Sequence, residues 1–154
     1  MPMLEVVKAE TGGREETMGE TTVIHRDGDA FAVLVRDHVV HVDQPYRAGG
    51  TDVGPTPVEL FVGSLAACAA HYARRHLKLR GLPADGLEVS ADYAMSAGAP
   101  ARVTRVDLRL RPPIRLDARA AQELRAAVSA CTVPNSIIDP PRVGVDVETA
   151  VQTA

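Results

Sequence analysis

At 154 residues the chain can form one domain, or one subunit of a small oligomer, with a core that needs no disulfide or metal staple. Apolar residues make up 45% and charged residues 24%, a balance that excludes wholesale disorder. A net charge of −3, 3% aromatics and no Trp argue against a nucleic-acid surface, which wants a basic face and stacking rings.

The opening residues MPMLEVVKAE lack a basic segment followed by an apolar one, so no export signal is expected and a cytoplasmic protein is. Residues 4–9 are a candidate first strand, followed by a polar, Gly-containing stretch over 11–20. Residues 22–26 and 30–36 flank Asp27-Gly28, a signal for a tight hairpin turn. A further strand is expected over 39–42, after Asp37. The run DQPYRAGGTDVGPTP is rich in Gly and Pro and reads as a loop.

A helix begins where that loop ends. Thr56 can cap it, Pro57 suits the first helical position, and Glu59 stands where a capping-box carboxylate belongs. The helix is expected to run to about Arg80, with Gly81 as the stop and Pro83 just beyond. Its first half, VELFVGSLAACAAHYA, is apolar nearly all round and is expected to be buried on most sides. That stretch, over 58–73, contains Glu59, Ser64 and His71 and is too short to span a bilayer. Arg74, Arg75, His76, Lys78 and Arg80 suit the negative end of the helix dipole.

Two alternating segments follow. Leu87, Val89, Ala91 and Tyr93 face away from Glu88, Ser90 and Asp92, and Val106, Leu108 and Leu110 face away from Asp107, Arg109 and Arg111. These predict antiparallel strands with one wet face. Asp117 caps a second helix over about 118–130, ending at Cys131; a short turn around 135–138 then leads to a last strand over 143–148. Runs of strands broken by two helices give an α+β class, and with no repeat or linker the whole chain, 1–154, reads as a single domain.

In a cytoplasmic protein two cysteines are more often catalytic or redox-sensing than a structural bridge, which directs attention to Cys68 and Cys131. Cys68 lies about twelve positions past the helix cap, beyond the reach of the dipole, so a reactive thiol there needs a cation from elsewhere. The plain alternative is a small apolar residue in an Ala-rich helix. Cys131 follows 63 residues later, and a disulfide requires the two Cα atoms within about 7 Å, which spacing leaves open. His71, three residues after Cys68, raises a Cys–His nucleophile of hydrolase type, against the alternative of a histidine satisfied in the core or at an interface. His38 and His41 point to opposite faces of a strand and make a poor metal pair, and Asp52 reads as a turn residue. No phosphate loop or dinucleotide fingerprint is present in the sequence.

Three segments together resemble a known family. GPTPVELFVGSLAAC, over 54–68, is similar to the signature of the OsmC/Ohr family of thiol-dependent organic hydroperoxide reductases, in which a Gly/Pro loop leads through an acidic residue and an apolar helix to a Cys. CTVPNSI, from Cys131, resembles the family's second-cysteine motif, and DQPYRAGG, over 43–50, resembles the loop that carries the active-site arginine in the OsmC branch. The resemblance covers roughly residues 22–148.

It implies an OsmC-like α+β fold with antiparallel sheets around a long buried central helix, and an intertwined homodimer with two sites at the subunit interface. It also implies a peroxidatic Cys68 whose thiolate attacks an organic hydroperoxide and becomes a sulfenic acid, a Cys131 that condenses with it to a disulfide, and a dithiol reductant, of lipoyl type for example, that resets the pair. No metal or organic cofactor is implied. Arg47 is the candidate for holding the thiolate, with Arg14 and Arg36 as alternatives. Phe61, Leu65 and Tyr72 would favour an organic peroxide over hydrogen peroxide. In the best-characterised peroxidases of the family the acidic residue lies ten positions before the cysteine; here Val58 holds that position, and Glu59, nine before, is the candidate active-site carboxylate that the resemblance offers. Nine helical residues turn about 900°, which points Glu59 away from Cys68 unless the helix kinks at Gly63. The shifted carboxylate looks like that of a less characterised branch. Its alternative function is a non-peroxidatic dimer that senses redox state or binds a small ligand.

Overall fold

A computed structural model of the protein describes residues 18–148, so the candidate strand at 4–9 and Arg14 lie outside the described residues. Chain contacts separate two units at the boundary between Pro57 and Val58, each with its own antiparallel sheet.

In the first unit, β1 (Thr22–Asp27), β2 (Ala30–Val35) and β3 (His38–Val42) form a three-stranded meander in the order β1-β2-β3. Asp27 pairs with Ala30, which leaves Gly28 and Asp29 as a two-residue turn. Gly28 takes φ +53°, a conformation that costs an L side chain and is free to glycine. Ala30, Ala32 and Val42 are buried, while β1 is exposed along its length. The expected loop after β3 contains one short 3-10 turn, Tyr46–Ala48.

The second unit is organised by α1 (Pro57–Leu79). Its buried positions, Val62, Leu65, Ala69, Ala73 and Leu77, recur every three or four residues and form one stripe. Phe61, Ser64, Ala67 and His71 are exposed, so in the single chain the helix is buried on one side and not on most sides as its composition suggests. The stop is a Schellman motif: Gly81, at φ +66°, donates its N–H to Lys78 O (3.0 Å), and Leu82 donates to Leu77 O (2.9 Å). β4 (Glu88–Met95) and β5 (Val103–Arg111) pair antiparallel, with Val89 opposite Leu110 and Ala91 opposite Leu108. α2 (Ala118–Ser129) is capped by Asp117, whose carboxylate accepts from the Ala120 N–H at 2.7 Å. Ala73 and Leu77 of α1, Ala84 of the loop between α1 and β4, and Leu124 of α2 make the buried core, flanked by Leu82, Leu87, Leu110, Leu116 and Val128.

Two expectations about the C-terminal part need correction. The turn around 135–138 belongs to a helix, α3 (Thr132–Ile138). Pro134 falls in its first turn, where no intrahelical N–H is needed, so proline does not break it. The last strand expected over 143–148 is not formed: these residues carry no ladder pairing, and Val143, Val145 and Val147 are 79–85% exposed. A strand exists only with a neighbour to take its N–H and C=O groups, and the described chain provides none here.

Candidate functional site

Cys68 sits half-buried near the middle of α1, and Cys131 is fully buried at the N-cap of α3. Cys131 is fixed by its backbone: its N–H donates to Val128 O at 3.0 Å, and its own carbonyl accepts from Asn135 N–H at 3.3 Å. The Cα atoms of the two cysteines lie 6.1 Å apart and their sulfurs are joined as a disulfide, a separation within the ordinary range for such a bond. Thiolate exchange needs access to one sulfur, and the difference in burial directs an incoming thiolate to Cys68, with Cys131 as the leaving group. Four residues beyond Cys68, Tyr72 Oη lies 3.3 Å from Thr132 Oγ1, a second link between the same two helices.

An apolar groove opens one turn away from each cysteine along the chain. It has a volume of about 340 Å³ and is lined by Phe61 and Leu65 of α1, Val106 and Leu108 of β5, and Ile137 and Ile138 of α3, with Arg105 among its polar neighbours. That volume suits a small organic molecule. Phe61 and Leu65, two of the residues expected to surround Cys68, are in this wall, whereas Tyr72 is engaged with Thr132. The exposed His71 lines a different pocket, with Ala70, Arg74, Ala84 and Asp85, and its ring meets that of Tyr72 edge-on.

In the first unit, the loop that carries Arg47 is built on Asp43. This carboxylate is 1% exposed and accepts hydrogen bonds from the N–H groups of Gln44 (2.7 Å), Thr51 (3.0 Å) and Val53 (3.3 Å) and from the Thr51 hydroxyl (2.8 Å). Burial by itself pushes the Asp43 carboxyl up, but the Thr51 hydroxyl and the three N–H donors together outweigh it and hold the pKa below the usual carboxylate value. The loop packs so closely over this anchor that a Cβ at Gly50 would overlap the Gln44 carbonyl and approach Asp43 Oδ1 to 2.7 Å. Arg47 lies on the 3-10 turn at the tip of the loop and is exposed, and Arg36 is an exposed residue of the β2–β3 turn at φ +52°. Asp52 adopts φ +57°, as a turn residue can.

Of the residues singled out in the sequence, the structure therefore joins Cys68 to Cys131. Glu59 lies exposed in the first turn of α1, which runs as one helix through Gly63 to Leu79. Sequence reasoning missed Asp43, the Tyr72–Thr132 pair and the α3 wall of the groove. For Asp43 a signal existed: an acid directly before a Gly-rich loop that contains a Thr is a common local acceptor for loop N–H groups.

A protein-family model described as OsmC-like protein matches residues 49–146, well over half of the chain. No curated protein matches the sequence. Among solved structures, the chain is similar to a putative osmotic stress induced and detoxification response protein from Psychrobacter arcticus 273-4, with a TM-score of 0.71 and 19% identity over 79% of this chain and 89% of that one. It is also similar to an organic hydroperoxide resistance protein OsmC from Legionella pneumophila (TM-score 0.60, 19% identity, 79% of this chain and 91% of that one). A third is the organic hydroperoxide resistance protein OhrB of Bacillus subtilis (TM-score 0.55, 21% identity, 76% and 90%). At these identities the likeness is one of fold.

Proposed function

The chain belongs to the OsmC-like protein family, and from that premise we propose that it is a two-cysteine, dithiol-dependent peroxidase that reduces organic hydroperoxides. The observation that carries this reading is the Cys68–Cys131 bond, together with an apolar groove whose lining includes Leu65 and Pro134, each three residues along the chain from one of the cysteines. In the reduced protein the Cys68 thiolate attacks the distal oxygen of ROOH; the O–O bond breaks, the alcohol ROH leaves with one proton, and Cys68 becomes a sulfenic acid. The Cys131 thiol then displaces water from that sulfenic acid, forming the disulfide. A dithiol reductant attacks the more accessible Cys68 sulfur, and its second thiol releases the mixed disulfide, returning both protein thiols and leaving the reductant oxidised. The groove takes the organic group R, which hydrogen peroxide lacks.

Arg47 is the proposed cation that holds Cys68 as thiolate and stabilises the peroxide oxygens, on the strength of its loop's resemblance to the family's arginine loop. Glu59, which the resemblance offers as a fourth site residue, is proposed instead to act at the start of α1, where its charge complements the helix dipole. The whole chain is taken as one OsmC-like domain, because the family match crosses the boundary at Pro57. A cytoplasmic homodimer is proposed with it. Val23, Phe61 and Tyr93 are large exposed hydrophobics, and the valines of 143–148 are open to pairing with a second copy. No helix among the described residues is long and apolar enough to cross a membrane.

A second reading, a redox-sensing or ligand-binding dimer with a slow Cys68, is favoured by Val58, which stands where the best-characterised peroxidases of the family carry the acidic residue. Steady-state consumption of cumene hydroperoxide and of hydrogen peroxide, driven by dihydrolipoamide, separates the two. The peroxidase turns over cumene hydroperoxide faster and stops turning over in Cys68→Ser, and Cys131→Ser loses dithiol-driven cycling. Turnover no faster than that of the reductant alone would leave the second reading.

A further inference from the structure

α1 and the start of α3 are joined twice: Cys68 to Cys131, and Tyr72 to Thr132. On α1 the two links are spaced four residues apart, so they share one face; on α3 they are consecutive. Only Ala130 separates α2 from Cys131, and at the far end of α3 Ile137 and Ile138 remain 47% and 81% exposed. Once the disulfide opens, the Tyr72–Thr132 contact is the polar tie that remains between α1 and the first turn of α3 among the hydrogen bonds described.

Resting on the two-cysteine reading above, we propose that Tyr72 and Thr132 are positioning residues for the resolving cysteine: their hydroxyl–hydroxyl hydrogen bond raises the fraction of time that the Cys131 thiol is docked beside Cys68 in the reduced and sulfenic forms, in which α3 also visits undocked positions. The advantage lies in competition. A Cys68 sulfenic acid either condenses with Cys131, forming the S–S bond and releasing water, or meets a second ROOH and becomes a sulfinic acid with release of ROH. The first route is intramolecular and depends on how often α3 is docked. The second depends on peroxide concentration.

The same bond stabilises the disulfide form fully, because the disulfide enforces docking, and the dithiol form only for the fraction of time that α3 is docked. Removing either hydroxyl therefore weakens disulfide formation relative to the dithiol. The size follows from one hydrogen bond, whose net worth corresponds to about two- to tenfold in an equilibrium constant. For a two-electron couple this raises the reduction potential by about 9 to 30 mV.

The test is equilibration with glutathione, in which protein dithiol and glutathione disulfide exchange to protein disulfide and two glutathione thiols, read by alkylation and intact mass. Tyr72→Phe and Thr132→Val are each expected to lower the constant about two- to tenfold. Thr132→Ser, which keeps the hydroxyl, should match the unsubstituted protein, and the double variant should fall no further than either single one. Unchanged constants in both single variants, or an additive double variant, would overturn the proposal. No peroxide enters this equilibrium, so a protein inert to hydroperoxides would refute the peroxidase reading while this result stood on its own. With hydroperoxide present, the expected companion result is an unchanged rate of first oxidation at Cys68 and a larger sulfinic fraction in Thr132→Val; an unchanged fraction would count against the positioning role.

Discussion

Reducing the Cys68–Cys131 bond should cost the fold a large part of its stability, and the structure sets the scale. The bond closes a loop with a sequence separation of 63 residues. In the chain-entropy description, a loop of that length removes about 14 cal/mol/K from the unfolded ensemble, which is about 4.3 kcal/mol at 25 °C. For a chain of this size each kcal/mol moves the melting temperature by roughly 2–4 °C, so full reduction should lower it by about 9–17 °C. The assay is thermal and urea unfolding, followed by circular dichroism, on the oxidised protein, on the protein held in dithiothreitol, and on the Cys68→Ala/Cys131→Ala double variant. The last two should coincide, both well below the first. Equal midpoints for oxidised and reduced protein would refute the reasoning, since closing the loop would then not constrain the unfolded chain. The same constraint bears on the reductant: a bond favoured by proximity re-forms against a monothiol, whereas a dithiol completes the exchange within one mixed disulfide.

Three further outcomes follow from the site. The depressed Asp43 pKa means that its contribution is fully present above the unfolded value of about 3.9 and is lost as pH falls through the lower folded value. NMR of the Thr51 and Val53 amides should accordingly show the loop loosening only below the ordinary carboxylate range, and Asp43→Asn should abolish that acid transition. Gly50→Ala, whose Cβ would collide with the Gln44 carbonyl, should displace the Arg47 loop at a cost of roughly 1–3 kcal/mol in urea unfolding. Wild-type stability would show that the loop has room to spare. Glu59→Gln removes a first-turn charge from α1 and should cost about 0.3–1 kcal/mol while leaving peroxide consumption within about twofold. A loss of turnover of tenfold or more would return Glu59 to direct contact with the chemistry.

Where a signal is local, the sequence was readable. Pro57 and Gly81 bracket α1 because each has a backbone reason to stand at a helix end, and Asp27-Gly28 marks a hairpin because its turn demands a left-handed residue. The cysteines were legible as a pair through the motifs around them, but their 6.1 Å Cα separation depends on how α2 returns Cys131 to α1, which no local pattern encodes. The 143–148 segment went the other way. Its alternation of Val143, Val145 and Val147 with Asp146 and Glu148 describes what the segment can pair as, not whether one chain supplies the partner. α3 was hidden by Pro134, which reads as a breaker until its position in the first turn is known. The buried face of α1 was overestimated because an Ala-rich sequence is apolar all round without being covered all round. Asp43 escaped notice because a single acid before a loop looks like a solvated charge, and only the fold converges four donors on it.

The most direct test of the central claim is a free-thiol count with intact mass on pre-reduced protein, before and after one equivalent of cumene hydroperoxide, with Cys131→Ser alongside. The two-cysteine peroxidase predicts rapid loss of both thiols and of two hydrogens, and in Cys131→Ser a gain of one oxygen that a sulfenic-acid probe captures. Both thiols persisting for minutes in the presence of the hydroperoxide would contradict it.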